Sequence, residues 1–238
     1  MSLQVEASSV VLYNPMNGEF GKAKFKNSGD LTEVYVQLAP DQSLIIETYQ
    51  NEIEAAPYNY YSVSEVSIPL TGRWKITFTS GGPELPDTVE TDTLASWTTF
   101  GSVGYPSFSG TATYTLSFAK PNQVAEHWLL DLGKVKESAE VVLNGKTMGT
   151  LIGPVYQLQI DHKMLLETNI LEIKVSNLMA NRIADLDRRQ AFWRKFYNVN
   201  FPSRKTENRK NGLFDASHWL PKESGLLGPV SLTKISFN

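Results

Sequence analysis

The chain has 238 residues, 41% of them hydrophobic and 20% charged, with a formal net charge of −3 at pH 7. That balance belongs to an ordinary globular protein with room for one large core or two modest ones, and it excludes a disordered segment. Cysteine is absent and no run approaches the roughly 20 apolar residues of a membrane-crossing helix, so disulfides, thiolate metal sites and a helical span are excluded.

Met1-Ser2-Leu3 leads straight into a strand-like segment, without the basic and apolar regions of a signal peptide. Short strands are then expected at 9–13, 22–25, 34–38, 43–48 and 60–68. Asn14-Pro15, Asn17-Gly18, Ser28-Gly29 and Pro40-Asp41 break them, which predicts a small β-rich unit over residues 1–68. A larger sandwich is expected over 69–238, with strands at 73–79, 111–118, 126–132, 140–144, 147–151, 155–161, 170–177 and 230–237. Its clearest signal is the alternation Leu130, Leu132; Val141, Leu143; Tyr156, Leu158, Ile160; Leu171, Ile173, Val175, the period of half-buried antiparallel strands. Asn144-Gly145 accepts the positive φ angles of a type I′ hairpin. A helical turn is expected near 162–166. A longer helix is expected at 182–197, where Ile183, Leu186, Gln190, Trp193 and Tyr197 share a face. The predicted class is all-β, an antiparallel jelly-roll β-sandwich preceded by a small β-unit, with one or two short helices.

Several of these segments carry a resemblance. The run from Glu126, EHWLLDLGKVKESAEVVLNGKTMGTLIGPVYQLQIDHKMLLETNILEIKVSN, resembles the galactose-binding-like jelly roll that serves as the sugar-binding domain of family 2 glycoside hydrolases. LTGRWKITFTSGGPELP, LASWT, FSGTATYTLSF, NLMANRIADLD and SGLLGPVSL, with VYVQLAPDQSLII near the start, are similar to the C-terminal region of large bacterial α-L-rhamnosidases of glycoside hydrolase family 106. The resemblance implies that the catalytic carboxylates sit on a separate barrel domain. It also implies a periplasmic or extracellular location if the parent protein carries a signal peptide.

The residues themselves show no catalytic machinery. Gly-x-Ser-x-Gly, Walker, His-Glu-x-x-His and Gly-x-Gly-x-x-Gly patterns are missing, and the three histidines, His127, His162 and His218, read better as structural or surface residues. Glycoside hydrolysis needs two facing carboxylates. The nearest local pair, Asp185 and Asp187, would point to different helix faces and pair with Arg182, Arg188 or Arg189. No catalytic residue is therefore assigned.

Binding remains. A sugar site needs an aromatic face for the C–H side of a pyranose and planar polar groups for its hydroxyls. Asn177, Asn181, Arg182, Trp193, Arg194, Tyr197, Asn198, His218 and Trp219 supply both within one segment, and Trp219 is expected to offer an exposed ring. Trp74 and Trp128 read as core, Trp97 as a cover for one end of the sandwich, and Tyr58, Tyr60 and Tyr61 as a seal between units. No cofactor is assigned. A structural Ca²⁺ held by Asp87, Glu90 and Asp92 is an open option without a defined loop pattern. Residues 182–210 hold nine basic against three acidic residues, a pattern of a solvated face or an inter-domain contact.

Three functions are open at this stage. The first is a non-catalytic, carbohydrate-associated region of an α-L-rhamnosidase-like glycoside hydrolase acting on plant-type polysaccharide, with carbohydrate and the parent's catalytic domain as partners and neither nucleic acid nor membrane. The second is an autonomous carbohydrate-binding module. The third is a polyanion binder through the basic stretch. A supporting region is expected to show exposed apolar side chains where it meets its neighbour.

Overall fold

A computed structural model describes residues 1–101 and 104–237 and shows an almost entirely β protein in which every named strand pairing is antiparallel. Two three-stranded sheets build the N-terminal part. One places Ser9–Tyr13 between Phe20–Lys22 and Ile45–Tyr49, and the other places Leu31–Val34 between Ser2–Leu3 and Phe25–Ser28. Val10, Leu12, Val34, Tyr58 and Tyr60 form its own buried cluster. The Tyr60 hydroxyl donates to Tyr35 O at 2.9 Å and accepts from Lys24 N at 3.2 Å, so this ring closes the unit with both polar capacities used.

The larger part is a β-sandwich. Its six-stranded sheet runs Lys146–Ile152, Ser138–Leu143, Thr168–Ser176, Ser109–Ala119, Trp74–Gly82, Val89–Thr91; its four-stranded sheet runs Gln157–Asp161, His127–Asp131, Ser231–Phe237, Tyr61–Pro69. Alternate residues of both sheets face one core containing Trp74, Trp97, Tyr114, Trp128, Leu130, Leu171 and Ile173. Phe78 and Phe108 meet edge to face at 5.0 Å, and Trp97 closes against both rings at that end. Asn144 and Gly145 have φ of 51° and 78°, as the type I′ turn requires. The Asn144 side chain also locks the hairpin, accepting from Ile170 N and donating to Met164 O and Asn169 Oδ1.

The long strands lie where alternation places them. Short ones escape it: Lys134–Lys136, Arg209–Lys210, Leu213–Phe214 and Gly225–Gly228 are too brief to show a period. Strand Tyr61–Pro69, expected within the small unit, hydrogen-bonds to Ser231–Phe237 and so belongs to the sandwich sheet while continuing directly from the small unit's Tyr60. The helical turn near 162 is a short 3₁₀ segment, His162–Met164, and His162 is structural: its Nδ1 accepts from Trp128 Nε1 at 3.1 Å.

The expected helix over 182–197 is corrected. The helix is Ala180–Arg188, and the chain leaves it at Gln190, which has φ of 54°. Ala191 N bonds to Leu186 O and Gln190 N to Asp187 O, the paired 6→1 and 5→2 contacts that end a helix with a left-handed residue. Glycine or asparagine usually marks this position, so glutamine hid the stop.

Candidate functional site

The segment that follows strand Thr168–Ser176 carries all nine sugar-contact candidates. Asn177 ends that strand and ties three pieces of chain: its Oδ1 accepts from Gly110 N at 2.9 Å, and its Nδ2 donates to Phe108 O and Ser224 Oγ. Asn181 is buried in the first turn of the helix. It accepts from Lys222 N at 2.7 Å and donates to Lys222 O and Ser224 Oγ, so it pins the returning loop to the helix. Arg182 pairs with Asp185 at 2.8 Å, and Arg189 reaches the same carboxylate oxygen at 2.7 Å.

Asp187 is the centre of the segment, with a side chain only 1% exposed. It accepts from Trp193 Nε1 at 2.7 Å and from Ala216 N at 2.8 Å, and it forms an ion pair with Arg194. A buried carboxylate needs such a set of donors to offset its desolvation. Arg194 lies over the Trp193 and Phe214 rings, 5.1 and 5.9 Å from their centroids, a cation–π arrangement that holds the guanidinium flat inside the loop. The expectation that basic neighbours neutralise the two aspartates is met for Asp185 by Arg182 and Arg189. For Asp187 the partner is Arg194, brought back by the turn at Gln190, and not Arg188. Arg188 instead donates to Ser217 O and Trp219 O.

Trp219 does not offer a free ring. It is half-buried, its Nε1 donates to Asn208 Oδ1 at 2.8 Å, and its ring meets Phe214 edge-on at 5.7 Å. Asn198 donates to Gly212 O and accepts from Phe214 N, holding the small hairpin Arg209–Lys210 to Leu213–Phe214. Asp215 caps its own turn through the Ser217 amide and hydroxyl. Burial pushes this carboxyl up, but the Ser217 hydrogen bonds, with Lys210 and Arg194 nearby, outweigh it and leave it below its ordinary value of 3.8.

Of the nine candidates, Asn177, Asn181, Arg182, Trp193, Asn198 and Trp219 are therefore engaged in internal hydrogen bonds, Arg194 is ion-paired with Asp187 while its Nε and Nη2 lack hydrogen-bond partners among the described residues, and Tyr197 and His218 are exposed. Large apolar side chains of the segment are exposed beside its charged ones: Phe192 is 94% exposed, Leu220 84%, Phe201 78%, and Phe196 and Val199 75% each, with Lys195, Arg204, Lys205, Arg209 and Lys210 exposed among them. Arg204 stacks over Phe201 at 4.7 Å. The sequence marks these rings as part of a basic, aromatic-interleaved stretch, Phe192–Lys210, suited to stacking on a polyanion, and the run Phe192, Phe196, Phe201 without apolar alternation is the signal of their exposure.

Elsewhere, Glu90 and Asp92 are occupied by Arg73, at 3.1 and 3.7 Å. Among the described residues no group of three or more His, Asp or Glu side chains gathers to hold a metal. Among them, too, no helix is long and apolar enough to cross a membrane.

The fold and this segment define an antiparallel β-sandwich with a cross-braced loop and an exposed aromatic face. No protein-family model matches the chain. It is similar to a curated protein from Formosa agariphila named "Putative beta-glucuronidase", 36% identical over 188 residues, which are 69% of this chain and 15% of that protein. Among solved structures it resembles the rhamnosidase from Novosphingobium sp. PP1Y, with a TM-score of 0.72, 24% identity, and coverage of 99% of this chain and 21% of the other. A Bifidobacterium dentium β-glucuronidase complexed with coumarin-3-O-glucuronide overlaps more loosely, with a TM-score of 0.46, 19% identity and coverage of 71% and 29%. The chain thus spans about 15% of the curated relative and 21% of the rhamnosidase chain, and it is related to a region of glycoside hydrolases.

Proposed function

We propose that this chain is a non-catalytic, carbohydrate-associated β-sandwich region of a glycoside hydrolase, of the α-L-rhamnosidase kind acting on plant-type polysaccharide, and that segment 189–224 docks it onto the catalytic domain. The observation that carries this reading is the pairing of an inward polar set bonded to Asp187 with exposed Phe192, Phe196 and Phe201 on the same segment. Bracing of that kind fixes the loop's shape before any partner arrives, and rigid aromatic and arginine side chains are the anchors that dominate protein interfaces. Asp185 and Asp187 are each held by arginine, so neither is free to act as the acid of a hydrolytic pair. The likeness to a stretch of two much longer glycoside hydrolase-named proteins supports a neighbour of that class. We further infer two units, with the division near the start of strand Tyr61–Pro69, because the buried cluster of the small unit ends at Tyr60 and that of the sandwich begins at Leu70.

The test mixes the purified chain with the catalytic region of its parent polypeptide. The wild-type chain is expected to co-elute with it, and a Phe192→Asp, Phe196→Asp double variant is expected to elute alone with an unchanged unfolding midpoint. Co-elution unaffected by the substitutions, or release of rhamnose from an aryl rhamnoside by the chain alone, would overturn the reading.

A further inference from the structure

A second feature lies between the two cores. A cleft of about 760 Å³ is walled on one side by the small unit and on the other by the outer face of the four-stranded sheet and the hairpin after Gly145. Its size is that of a ligand pocket. The sandwich wall follows from strand period: Leu158 and Ile160 face the core, so Gln157 and Gln159 face outward into the cleft, beside Leu129 of the neighbouring strand. The opposite wall brings Asn17, Gln42, Asn59 and Tyr58, with Tyr61 where the chain passes to the sandwich; Asn17 is bonded to Glu19, Gln42 accepts from Ala39 N and Gln157 donates to Asp131, so Asn59 and Gln159 are the amides that carry the chemistry of the site.

The chemistry of this lining is selective. Carboxamides donate and accept at once, which matches hydroxyl groups that do the same. Met148, Leu151 and Pro154 supply apolar surface for C–H faces. Not one Lys, Arg or His is among the lining residues, while Glu19 and Asp41 are, so a carboxylate, sulfate or phosphate would meet only repulsion. Glu19 Oε1 is buried with no hydrogen-bond partner among the described residues, an orphan acceptor in the cleft wall. Burial, with the Glu19 charge adding to it, pushes the Tyr58 hydroxyl up to about 12 and raises Tyr61 in the same way, so both stay protonated donors at neutral pH.

We infer that the cleft between the small unit and the sandwich is a binding site for an uncharged oligosaccharide, with Glu19 excluding uronic acid sugars. The cleft's lining ends at Gln159 and shares no residue with segment 177–224, so its occupation is independent of docking through that segment.

The experiment titrates the purified chain, labelled with nitrogen-15, with di- and trisaccharides of rhamnose, galactose and glucose, and in parallel with oligogalacturonate and with glycerol. At least one neutral series is expected to move the side-chain amide signals of Asn59 and Gln159, with oligogalacturonate about tenfold weaker or worse. Tyr58→Phe is expected to weaken neutral binding about tenfold with the unfolding midpoint kept, and Glu19→Gln to close the gap between neutral and acidic sugars. Silence of the cleft signals with every neutral sugar, equal shifts with glycerol, equal or tighter binding of oligogalacturonate, or shifts confined to residues 177–224 would each overturn the assignment.

Discussion

In the segment after Asn177 most amide and indole N–H groups turn inward while Phe192, Phe196 and Phe201 are exposed, whereas the wall of the inter-unit cleft holds Asn17, Gln42 and Gln157 in bonds to Glu19, Ala39 and Asp131 and presents Asn59 and Gln159 beside the tyrosines. Both regions hold the residue types associated with sugars. What separates them is which groups the fold has already satisfied: a side chain whose hydrogen-bonding capacity is used internally has nothing left for a ligand, however suitable its type. Composition alone favours the first region, and the cleft is favoured only by the residues that its internal bonds leave over, Asn59 and Gln159.

The sharpest way to break that contrast is at Asp187. Asp187→Ala removes the acceptor for Trp193 and Ala216 and leaves Arg194 without its anion, and a loss of about 3–5 kcal/mol is expected in urea unfolding. Hydrogen exchange should then rise first over residues 190–220, while the strands of the sandwich keep their protection. Uniform loss of protection would mean that the segment is not a separate braced unit.

A smaller effect is expected at Trp219. Trp219→Phe keeps a ring against Phe214 and deletes only the bond to the buried Asn208, at a cost of about 1 kcal/mol. Affinity for any oligosaccharide that binds the chain should not change, and a marked fall would return the sugar site to this loop.

The least effect concerns Asp215. Its carboxyl lies below 3.8 in the folded chain, so its contribution is complete above that value and is lost as pH falls through the lower folded value. Exchange of the Ser217 amide should therefore accelerate in acid below about pH 3.8, and Asp215→Asn should abolish that acceleration.

Much of the architecture was legible because the signals were local and periodic. Leu171, Ile173 and Val175 announce one buried face of a strand, and Asn144-Gly145 announces its hairpin, since only residues tolerant of positive φ suit that turn. Trp74 and Trp128 were readable as core for the same reason. The stop at Gln190 was not legible, because glutamine has no intrinsic preference for the left-handed region; the backbone bonds from Ala191 N to Leu186 O and from Gln190 N to Asp187 O accompany it. That one residue redirects Trp193 and Arg194 away from the expected helical face and toward Asp187. The sequence suggests a junction seal at Tyr58, Tyr60 and Tyr61; Tyr58 and Tyr60 lie in the small unit's own buried cluster, and the cleft that Tyr58 and Tyr61 border needed the pairing of Gln159 with Leu129, which no single-strand pattern contains.

Strand Tyr61–Pro69 leaves the small unit and is at once laddered to the last strand, with Tyr61 opposite Phe237 and Pro69 opposite Ser231. A tether of this kind behaves as a stiff spoke and not as a hinge. Tension applied to the small unit along that strand loads its rungs in parallel, in shear, so they must fail together before the strand leaves the sandwich sheet. The small unit is thus moored to the sandwich through one laddered strand, and pulling it free along that line breaks the whole ladder at once.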